Sequence, residues 1–418
     1  MRELCRSTTS LSQRVASLRS VLSVGSIELS ATARRLRRSP SVHDVRKLAA
    51  RRLPGIVFDF IDGAAEDELS LRWNSAAYQH LEFVPQVLTD VSSVDTATTI
   101  LGYPARLPLV LAPTGLTGLA HPSGETAVAN AAGRAGIPYA LSTLASHSIE
   151  QVAASNSGAD LWFQVYVWRD RGLVSSLLER ARCAGFRVIL LTVDTPVAGN
   201  RERDVRRGLS IPFTIGPRVI LDALLHPSWT WRMSGGDPAR FGNIETSRTS
   251  GTTDPGELAE FISRQFDPTF TWEDVQWFRE NWDGPVVIKG IQSVSDAVRA
   301  AEVGVEAIVL SNHGGRQLDG SPAPAQLIAP VAQAVGDRIE VLCDGGVRRG
   351  SDLVKAVAMG ATAGMIGRPY LYGLAAAGED GVDHVVETYR RGMERSMALA
   401  GRTAVTQLKP DLVRWRGE

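Results

Sequence analysis

Cysteine is scarce in this chain, which has only Cys5, Cys183 and Cys343 among 418 residues. No two of them stand at the spacing of a zinc-binding or redox motif. Their scarcity argues against a disulfide framework and against a cysteine-ligated metal, and it is typical of proteins in a reducing compartment. We therefore expect a site without a metal.

Excess charge and long apolar runs are also absent. Lys plus Arg and Asp plus Glu number 45 each, so the formal net charge is zero. That balance lacks the basic excess typical of nucleic-acid-binding proteins, and no apolar run is long enough to span a bilayer. Residues 1–20 lack the apolar core of a secretory signal, so we expect a cytoplasmic protein.

The charge is nevertheless distributed unevenly, because residues 1–52 contain twelve Lys or Arg and only three Asp or Glu. Residues 1–40 are rich in Ser and Arg, which predicts a mobile, solvated arm; a transit peptide is the alternative. Ordered structure is predicted to begin at Ser41, because Ser41 and Asp44 have the spacing of a helix capping box.

Short apolar runs alternate with amphipathic segments beyond residue 105. Eight runs predict strands, at residues 108–112, 137–141, 161–167, 188–193, 285–288, 307–310, 340–343 and 363–366. Continuous apolar strands separated by helices predict a parallel (β/α)8 TIM barrel, preceded here by N-terminal helices. A doubly wound sheet is the alternative, but no G-x-G-x-x-G follows any predicted strand.

The alternation fails between residues 206 and 274, after the fourth predicted strand. A segment of this length is typical of a lid or a partner-binding surface. We interpret residues 206–274 as an insertion that faces the active site or a membrane, within a single barrel domain at residues 41–418. Its Trp229 and Trp231 either pack within the loop or contact a membrane or partner.

Polar residues follow the predicted strands at the end where barrel enzymes build their active sites. The sixth strand runs into Ser311-Asn312-His313-Gly314-Gly315-Arg316. A histidine can take a proton near neutral pH, and an arginine can hold a carboxylate bidentately. This pattern predicts an enzyme that removes hydrogen from a small acid.

Three more strand ends supply catalytic candidates, each with a structural alternative. Asp194 could support the imidazole of His313 or merely cap its loop. Lys289 could stabilise negative charge on an electron-rich ring or serve as a buried ion-pair partner. Tyr166 could bond a substrate or pack in the core.

The last two strands end in Asp344–Arg348 and in Gly367-Arg368, a pattern typical of the phosphate site of barrels. Hydrogen-bonding side chains at the earlier strand ends could surround a planar ring; they are Thr114, Ser142, Gln164 and Thr192. Together these features favour flavin mononucleotide (FMN) over a nicotinamide dinucleotide.

Residues 41–413 resemble the family of FMN-dependent 2-hydroxy-acid dehydrogenases and oxidases, which includes glycolate oxidase, L-lactate dehydrogenase and mandelate dehydrogenase. The resemblance rests, in chain order, on Phe58–Phe60, residues 63–68, Ala112–Gly115, His121-Pro122, Trp162–Tyr166, Thr192–Pro196, Val287–Gly290, residues 311–319, Asp344–Gly350 and Ile366–Arg368. The run around His313 is the most specific of these motifs.

The resemblance implies a role for each candidate. His313 would be the base, supported by Asp194. The substrate would be held by Arg316, Arg201 and Tyr166, and Lys289 would lie beside N1 and O2 of the flavin. The ring would be lined by Pro113, Thr114, Gly115, Ser142, Gln164 and Thr192, and the ribityl phosphate would be held by Asp344, Gly346, Arg348, Gly367 and Arg368. Concerted hydride transfer and a carbanion route both stay open.

Two positions depart from the family pattern. Phe60 stands where most members have a tyrosine that donates to the substrate carboxylate. Losing such a donor costs on the order of 1–3 kcal/mol of binding and could shift preference toward a larger or more apolar substrate. Gly115 stands where oxidases commonly carry alanine, which favours a dehydrogenase that passes electrons to a quinone or cytochrome.

We therefore expect an FMN-dependent L-lactate dehydrogenase of respiratory type, peripheral on the inner face of a membrane through residues 221–229 and, like many family members, tetrameric. An oxidase that produces hydrogen peroxide and a mandelate-type dehydrogenase are the alternatives within the family. A flavin-binding sensor or degenerate scaffold without turnover is the alternative outside catalysis.

Overall fold

The computed structural model describes residues 30–155, 157–208, 216–235, 240–247 and 264–417. The chain divides into two compact units, Met1–Arg38 and Ser39–Glu418. The described part of the first unit forms helix α1, Ala31–Arg37, whose N-cap Ser30 accepts a hydrogen bond from the Ala33 backbone N–H.

Helix α1 lies before Ser41, where we expected order to begin. The segment consists mostly of Ala, Leu and Arg, which are good helix formers, and Ser30 caps it. These local preferences make residues 31–37 helical despite their positive charge. The rest of the predicted arm, residues 1–29, lies outside the described residues.

The second unit contains all the remaining described helices and strands. The helices are α2 (Val42–Arg52), α3 (Gly55–Asp62), α4 (Leu69–His80), α5 (Gly124–Ala135), α6 (Ile149–Ala154), α7 (Arg171–Cys183), α8 (Glu202–Arg207), α9 (Pro217–Leu225), α10 (Pro227–Met233), α11 (Gly242–Ser247), α12 (Val275–Glu280), α13 (Val294–Val303), α14 (Pro324–Val335), α15 (Gly350–Ala358), α16 (Arg368–Ala377) and α17 (Glu379–Leu399). The strands are β1 (Leu81–Phe83), β2 (Thr98–Ile100), β3 (Tyr103–Ala105), β4 (Leu109–Leu111), β5 (Tyr139–Ser142), β6 (Leu161–Tyr166), β7 (Val188–Thr192), β8 (Val286–Ile291), β9 (Ala307–Leu310), β10 (Glu340–Cys343), β11 (Ala363–Ile366) and β12 (Val413–Trp415). Short 3-10 turns cover Thr117–Leu119, Trp272–Asp274, His313–Gly315, Val405–Gln407 and Pro410–Leu412.

Strands β4 to β11 close into a parallel barrel, in which β11 pairs back with β4. A doubly wound sheet has two free edges, and this sheet has none. The predicted TIM barrel is therefore confirmed. Its strands are apolar because side chains fill the inside of the barrel while helices cover the outside.

Helices α2 to α4 precede the barrel in the chain, and two two-stranded sheets are separate from the barrel sheet. Ser41 Oγ accepts a hydrogen bond from the Asp44 N–H, at 3.3 Å, which confirms the predicted start of α2. The sheet pairs β2–β3 and β1–β12 were not predicted, since strands of three residues are too short to show periodicity.

The described parts of the insertion are anchored to loops at the carboxyl ends of the barrel strands. Gly242 N donates to Ala145 O at 3.0 Å, and Arg169 N donates to Gln265 O at 2.8 Å. Trp229 Nε1 donates to Leu119 O at 2.9 Å, so this tryptophan packs within the fold. In the part of the chain that the structure describes, no helix has the length and apolarity to cross a membrane.

Candidate active site

A cavity of about 440 Å³ opens at the carboxyl ends of the barrel strands. It brings together most of the residues singled out from the sequence: Phe60, Pro113, Thr114, Gly115, Gln164, Tyr166, Thr192, Arg201, Lys289, His313, Arg316, Asp344, Gly346, Arg348, Gly367 and Arg368. Asp194 and Ser142 are not part of this lining. Each contacts a lining residue instead: Asp194 contacts His313, and Ser142 donates to Gln164.

Two contacts hold His313 in place in the loop that follows β9. Its Nδ1 lies 3.0 Å from Asp194 Oδ1, and its backbone N–H donates to Ser311 Oγ at 3.0 Å. Gly290 permits the close approach of Asp194, because a Cβ at position 290 would lie 2.7 Å from the Asp194 Cβ. The carboxylate therefore contacts the imidazole, which is the arrangement that its implied supporting role requires.

The environment of this pair favours a neutral imidazole. Burial lowers the pKa of His313, although the Asp194 carboxylate works in the opposite direction. Burial disfavours the Asp194 carboxylate, but His313 and Lys289 outweigh it and lower the pKa of Asp194. A neutral imidazole beside an ionised carboxylate is a proton acceptor whose charged product is stabilised.

Lys289 lies buried on the floor of the cavity. Its Nζ donates to Ser311 Oγ at 2.9 Å and lies 3.3 Å from Asp344 Oδ2. Burial disfavours the ammonium, but Asp344 and Asp194 outweigh it and raise the pKa of Lys289. Lys289 is therefore a buried ion-pair partner of Asp344, and its place in the cavity lining keeps the proposed role beside an electron-rich ring as a prediction.

Arg316 and Arg201 add to the positive charge of the cavity, which Arg348, Arg368 and Lys289 also line. Arg316 Nη1 donates to the carbonyl oxygens of Phe60, at 2.8 Å, and Gly63, at 2.9 Å. Burial beside Arg201 and Arg368 lowers the pKa of Arg316 well below its ordinary value. The Nε of Arg201 is buried without a hydrogen-bond partner. An anion bound here would stabilise the charged guanidinium of Arg316 and would accept a hydrogen bond from Arg201 Nε.

The polar side chains on the opposite side of the cavity are already linked to one another. Gln164 accepts from Ser142 Oγ at 3.1 Å and donates to Thr192 Oγ1 at 2.9 Å. Thr114 Oγ1 lies 2.7 Å from the Tyr370 hydroxyl. These bonds fix the orientation of each group, which is what a site for a planar polar ring requires.

Arg368 is placed differently from the phosphate-gripping side chain that we expected. Its Nε, Nη1 and Nη2 donate to the carbonyls of Ile61, Gly314 and Gly63, at 3.1, 2.9 and 2.7 Å. Its backbone N–H, however, lies in the first turn of α16, where helix N–H groups lack intrahelical acceptors. The backbone N–H groups at the start of α16 can therefore donate to an anion at this strand end, while the phosphate contact expected of the Arg368 side chain stays a prediction.

Several residues of the site were missed from the sequence. Ser311 links Lys289 to His313, although it was noticed only as part of a motif. Phe241 and Phe266 line the cavity but belong to the insertion, where no periodic pattern marks them. The Phe266 ring lies 5.3 Å from that of Tyr166 in an edge-on contact.

Glu125 was missed because a glutamate in an amphipathic helix is ordinarily exposed. It is fully buried and accepts from the N–H groups of Thr117, Ser146 and His147, at 3.2, 2.8 and 3.0 Å. Glu125 thereby joins the loops after β4 and β5, which carry much of the cavity lining.

Comparisons with known proteins agree with this geometry. A family model described as FMN-dependent dehydrogenase matches residues 49–415. The L-lactate dehydrogenase of Caulobacter vibrioides is 43% identical over 364 residues, covering 86% of this chain and 94% of that protein. The (S)-mandelate dehydrogenase of Pseudomonas putida is 40% identical over 377 residues, covering 90% and 94%. A crystal structure of the monotopic membrane protein (S)-mandelate dehydrogenase superposes with a TM-score of 0.86 at 40% identity, covering 90% of this chain and 99% of that one.

Proposed function

The chain belongs to the FMN-dependent dehydrogenase family, and on that premise we propose that it oxidises L-lactate to pyruvate. Relatives that cover most of the chain carry the name L-lactate dehydrogenase, and this name recurs more often than mandelate dehydrogenase. The observation that carries the proposal is the part-buried Asp194–His313 pair, whose His313 shares one cavity with Arg316, Arg201 and Lys289.

The residues present fit FMN. Lys289 offers a buried ammonium to the electron-rich edge of the ring, and Gln164 and Thr192 offer fixed hydrogen-bonding groups. Asp344 Oδ1, buried without a partner, can accept from a ribityl hydroxyl. The start of α16 supplies backbone N–H groups to the phosphate. When bound, FMN supplies the two-electron acceptor that this oxidation requires.

The chain's own residues bind the substrate and move its proton. L-lactate loses two protons and two electrons in becoming pyruvate, and His313 accepts one of those protons at Nε2. Arg316 and Arg201 hold the carboxylate, and Tyr166 bonds the substrate oxygen. Asp194 stabilises the imidazolium that forms, because its carboxylate contacts Nδ1 at 3.0 Å.

The electron acceptor that we propose is a membrane quinone or a cytochrome rather than dioxygen. Support comes from the apolar outer surface of α9 and α10, where Leu221, Leu224, Leu225 and Trp231 are 60%, 69%, 70% and 82% exposed. A surface of this kind fits the interfacial region of a lipid bilayer. Contact there would hold the enzyme on the inner face of the membrane, next to the lipid in which quinone is dissolved.

An anaerobic visible spectrum before and after L-lactate tests the reaction. Bleaching of the flavin bands is expected with L-lactate and not with D-lactate. A yellow protein that no hydroxy acid bleaches would overturn the proposal and favour a binding role. Reoxidation by a soluble quinone faster than by dioxygen, without peroxide, distinguishes the dehydrogenase from the oxidase.

Vesicle flotation tests the membrane contact. Vesicles of phosphatidylcholine and phosphatidylglycerol should carry the protein upward, and Leu224→Ser with Trp231→Ser should abolish this. Leu399→Ser is the control, because Leu399 is 74% exposed but lies at the end of α17. Equal flotation of all variants would contradict the assignment of the surface.

The tetramer implied by the resemblance stays a prediction that light scattering can test.

A larger 2-hydroxy acid such as mandelate is a second candidate substrate, favoured by the apolar wall of the cavity. Leu144, Phe241 and Phe266 line the same cavity as Tyr166. Phe60 adds a ring without the hydroxyl of a tyrosine. Such a wall buries an apolar side chain well. A kcat/KM for (S)-mandelate above that for L-lactate would establish this candidate in place of lactate.

A further inference from the structure

The last turn of α3 holds one of the two arginines assigned to the substrate carboxylate. Carbonyl oxygens at Phe60 and Gly63 accept from Arg316, and the Phe60 ring lies 5.3 Å from its guanidinium carbon. The position of Arg316 therefore depends on where the end of α3 lies.

Helix α8, which begins directly after Arg201, is joined to the same turn by Arg203. Nη1 of Arg203 donates to Asp62 Oδ2 at 2.9 Å, and Nη2 donates to Glu68 Oε2. Asp62 is the last residue of α3, and Glu68 precedes α4. One guanidinium thus bridges the two ends of the loop that connects α3 to α4.

The bridge is well supported on the α3 side. Asp62 is buried and also accepts from Arg46, at 2.6 and 2.7 Å, and from the Tyr372 hydroxyl at 2.7 Å. Glu68 also accepts from the Ala64 N–H at 3.0 Å. If Arg203 is removed, Asp62 keeps Arg46 and Tyr372, and Glu68 keeps the Ala64 N–H, so both carboxylates retain a hydrogen-bond partner.

We propose that Arg203 is a positioning residue for the carboxylate clamp, because it fixes α8 and Arg201 against the turn of α3 that holds Arg316. The inference rests on the proposed function, in which Arg201 and Arg316 bind the substrate carboxylate. Two guanidinium groups bind one carboxylate well only if their separation is fixed. The Arg203 bridge sets that separation.

A neighbouring ion pair provides a matched control. Arg207 of α8 pairs with Asp59 of α3 at 2.5 Å, so it joins the same two helices. Its side chain is 57% exposed, whereas that of Arg203 is 29% exposed. Because the Arg207 end of the pair is solvent-exposed, it contributes less rigidity than the Arg203 bridge, and after Arg207→Gln the buried Asp59 keeps Arg203 at 3.6 Å. Arg207→Gln therefore removes a charge from α8 without removing the bridge.

The experiment measures binding of propionate, which has the carboxylate and methyl group of lactate but no hydroxyl to oxidise. Wild type, Arg203→Gln and Arg207→Gln are loaded with FMN, and the Kd for propionate is read from the flavin absorbance. A displacement of about 1 Å in a binding group can cost up to a hundredfold, so we expect Arg203→Gln to raise the Kd on the order of tenfold. FMN content should match that of Arg207→Gln, and the KM for lactate should rise more than kcat falls.

The outcomes separate the two proposals. A Kd for Arg203→Gln equal to that of Arg207→Gln overturns the positioning role. Failure of the wild type to bind propionate or to be reduced by lactate overturns the proposed function itself. If Arg203→Gln does not retain FMN, the Kd of Glu68→Gln tests the positioning role instead. This variant weakens the contact between Arg203 and position 68, while its amide oxygen can still accept from the Ala64 N–H. A severalfold rise in its Kd supports the role, and a wild-type Kd overturns it.

Discussion

The Asp194 carboxylate lies 3.0 Å from Nδ1 of His313, and this contact determines which imidazole nitrogen serves the reaction. Because Nδ1 is engaged, Nε2 is the nitrogen left for the substrate. Burial lowers the pKa of His313, so the ring is neutral at physiological pH, and Asp194 favours the imidazolium that forms once a proton has moved.

Replacing Asp194 by Asn should slow flavin reduction and shift its pH dependence. The rate falls as acid protonates His313, at a pH below the ordinary value of about 6.5 because burial lowers the pKa. Without the carboxylate the imidazolium loses its counter-charge, so this acidic limb should move to still lower pH. The loss in kcat/KM should be on the order of a hundredfold or more.

Stopped-flow reduction by L-lactate between pH 4 and pH 8, a range chosen around the ordinary histidine pKa, measures both effects. FMN content serves as the control for folding. An acidic limb that stays at the wild-type pH would show that Asp194 does not act on His313.

Gly290→Ala should disturb the same pair through the backbone. Gly290 has φ +112°, and a Cβ there would lie 2.7 Å from the Asp194 Cβ, so the carboxylate must move away from His313. Gly185→Ala is the matched control, since Gly185 has φ +81° and no atom within 4 Å of the added Cβ. Both variants lose stability, by about 1 kcal/mol for the backbone strain alone. Only Gly290→Ala should lose flavin reduction in a turnover assay; equal activity of the two would contradict the steric argument.

Lys289→Met should reduce both stability and activity, for separable reasons. It leaves the Asp344 carboxylate buried without its cation, which costs about 3–5 kcal/mol in comparable buried pairs. Adding Asp344→Asn removes the unpaired charge, so the double variant should regain much of the lost melting temperature. Its flavin reduction should stay slow, because the ammonium beside the ring is still missing. Recovery of both properties together would assign Lys289 a purely structural role.

Phe60→Tyr tests the departure from the family pattern. The new hydroxyl would lie in the cavity beside Arg316, whose guanidinium carbon is 5.3 Å from the ring centroid. A donor to the carboxylate is worth on the order of 1–3 kcal/mol, so the KM for L-lactate should fall about fivefold or more. Steady-state kinetics with L-lactate and with (S)-mandelate measure the change. An unchanged KM for both acids would place the hydroxyl away from the carboxylate.

Local signals in the sequence were sufficient for most of the barrel. The predicted strands at 307–310, 340–343 and 363–366 coincide with β9, β10 and β11, because a buried parallel strand is a continuous apolar run between turns. The cavity residues could be predicted for a related reason. Most of them lie near or directly after the carboxyl end of a strand, and a closed parallel barrel brings all its strand ends to one face.

The sequence by itself therefore determined the fold class, the family and the residues at the mouth of the barrel. Only the tertiary structure decided which charged groups meet. The Asp194–His313 pair, 119 residues apart in the chain, was expected through the family resemblance, but nothing in the sequence indicated that Arg203 would meet Asp62, 141 residues away. Such contacts depend on barrel closure and on how the insertion packs against the strand ends, which no local pattern encodes. The guanidinium of Arg368 turned to backbone carbonyls for the same reason, since its acceptors come from α3 and the β9 loop.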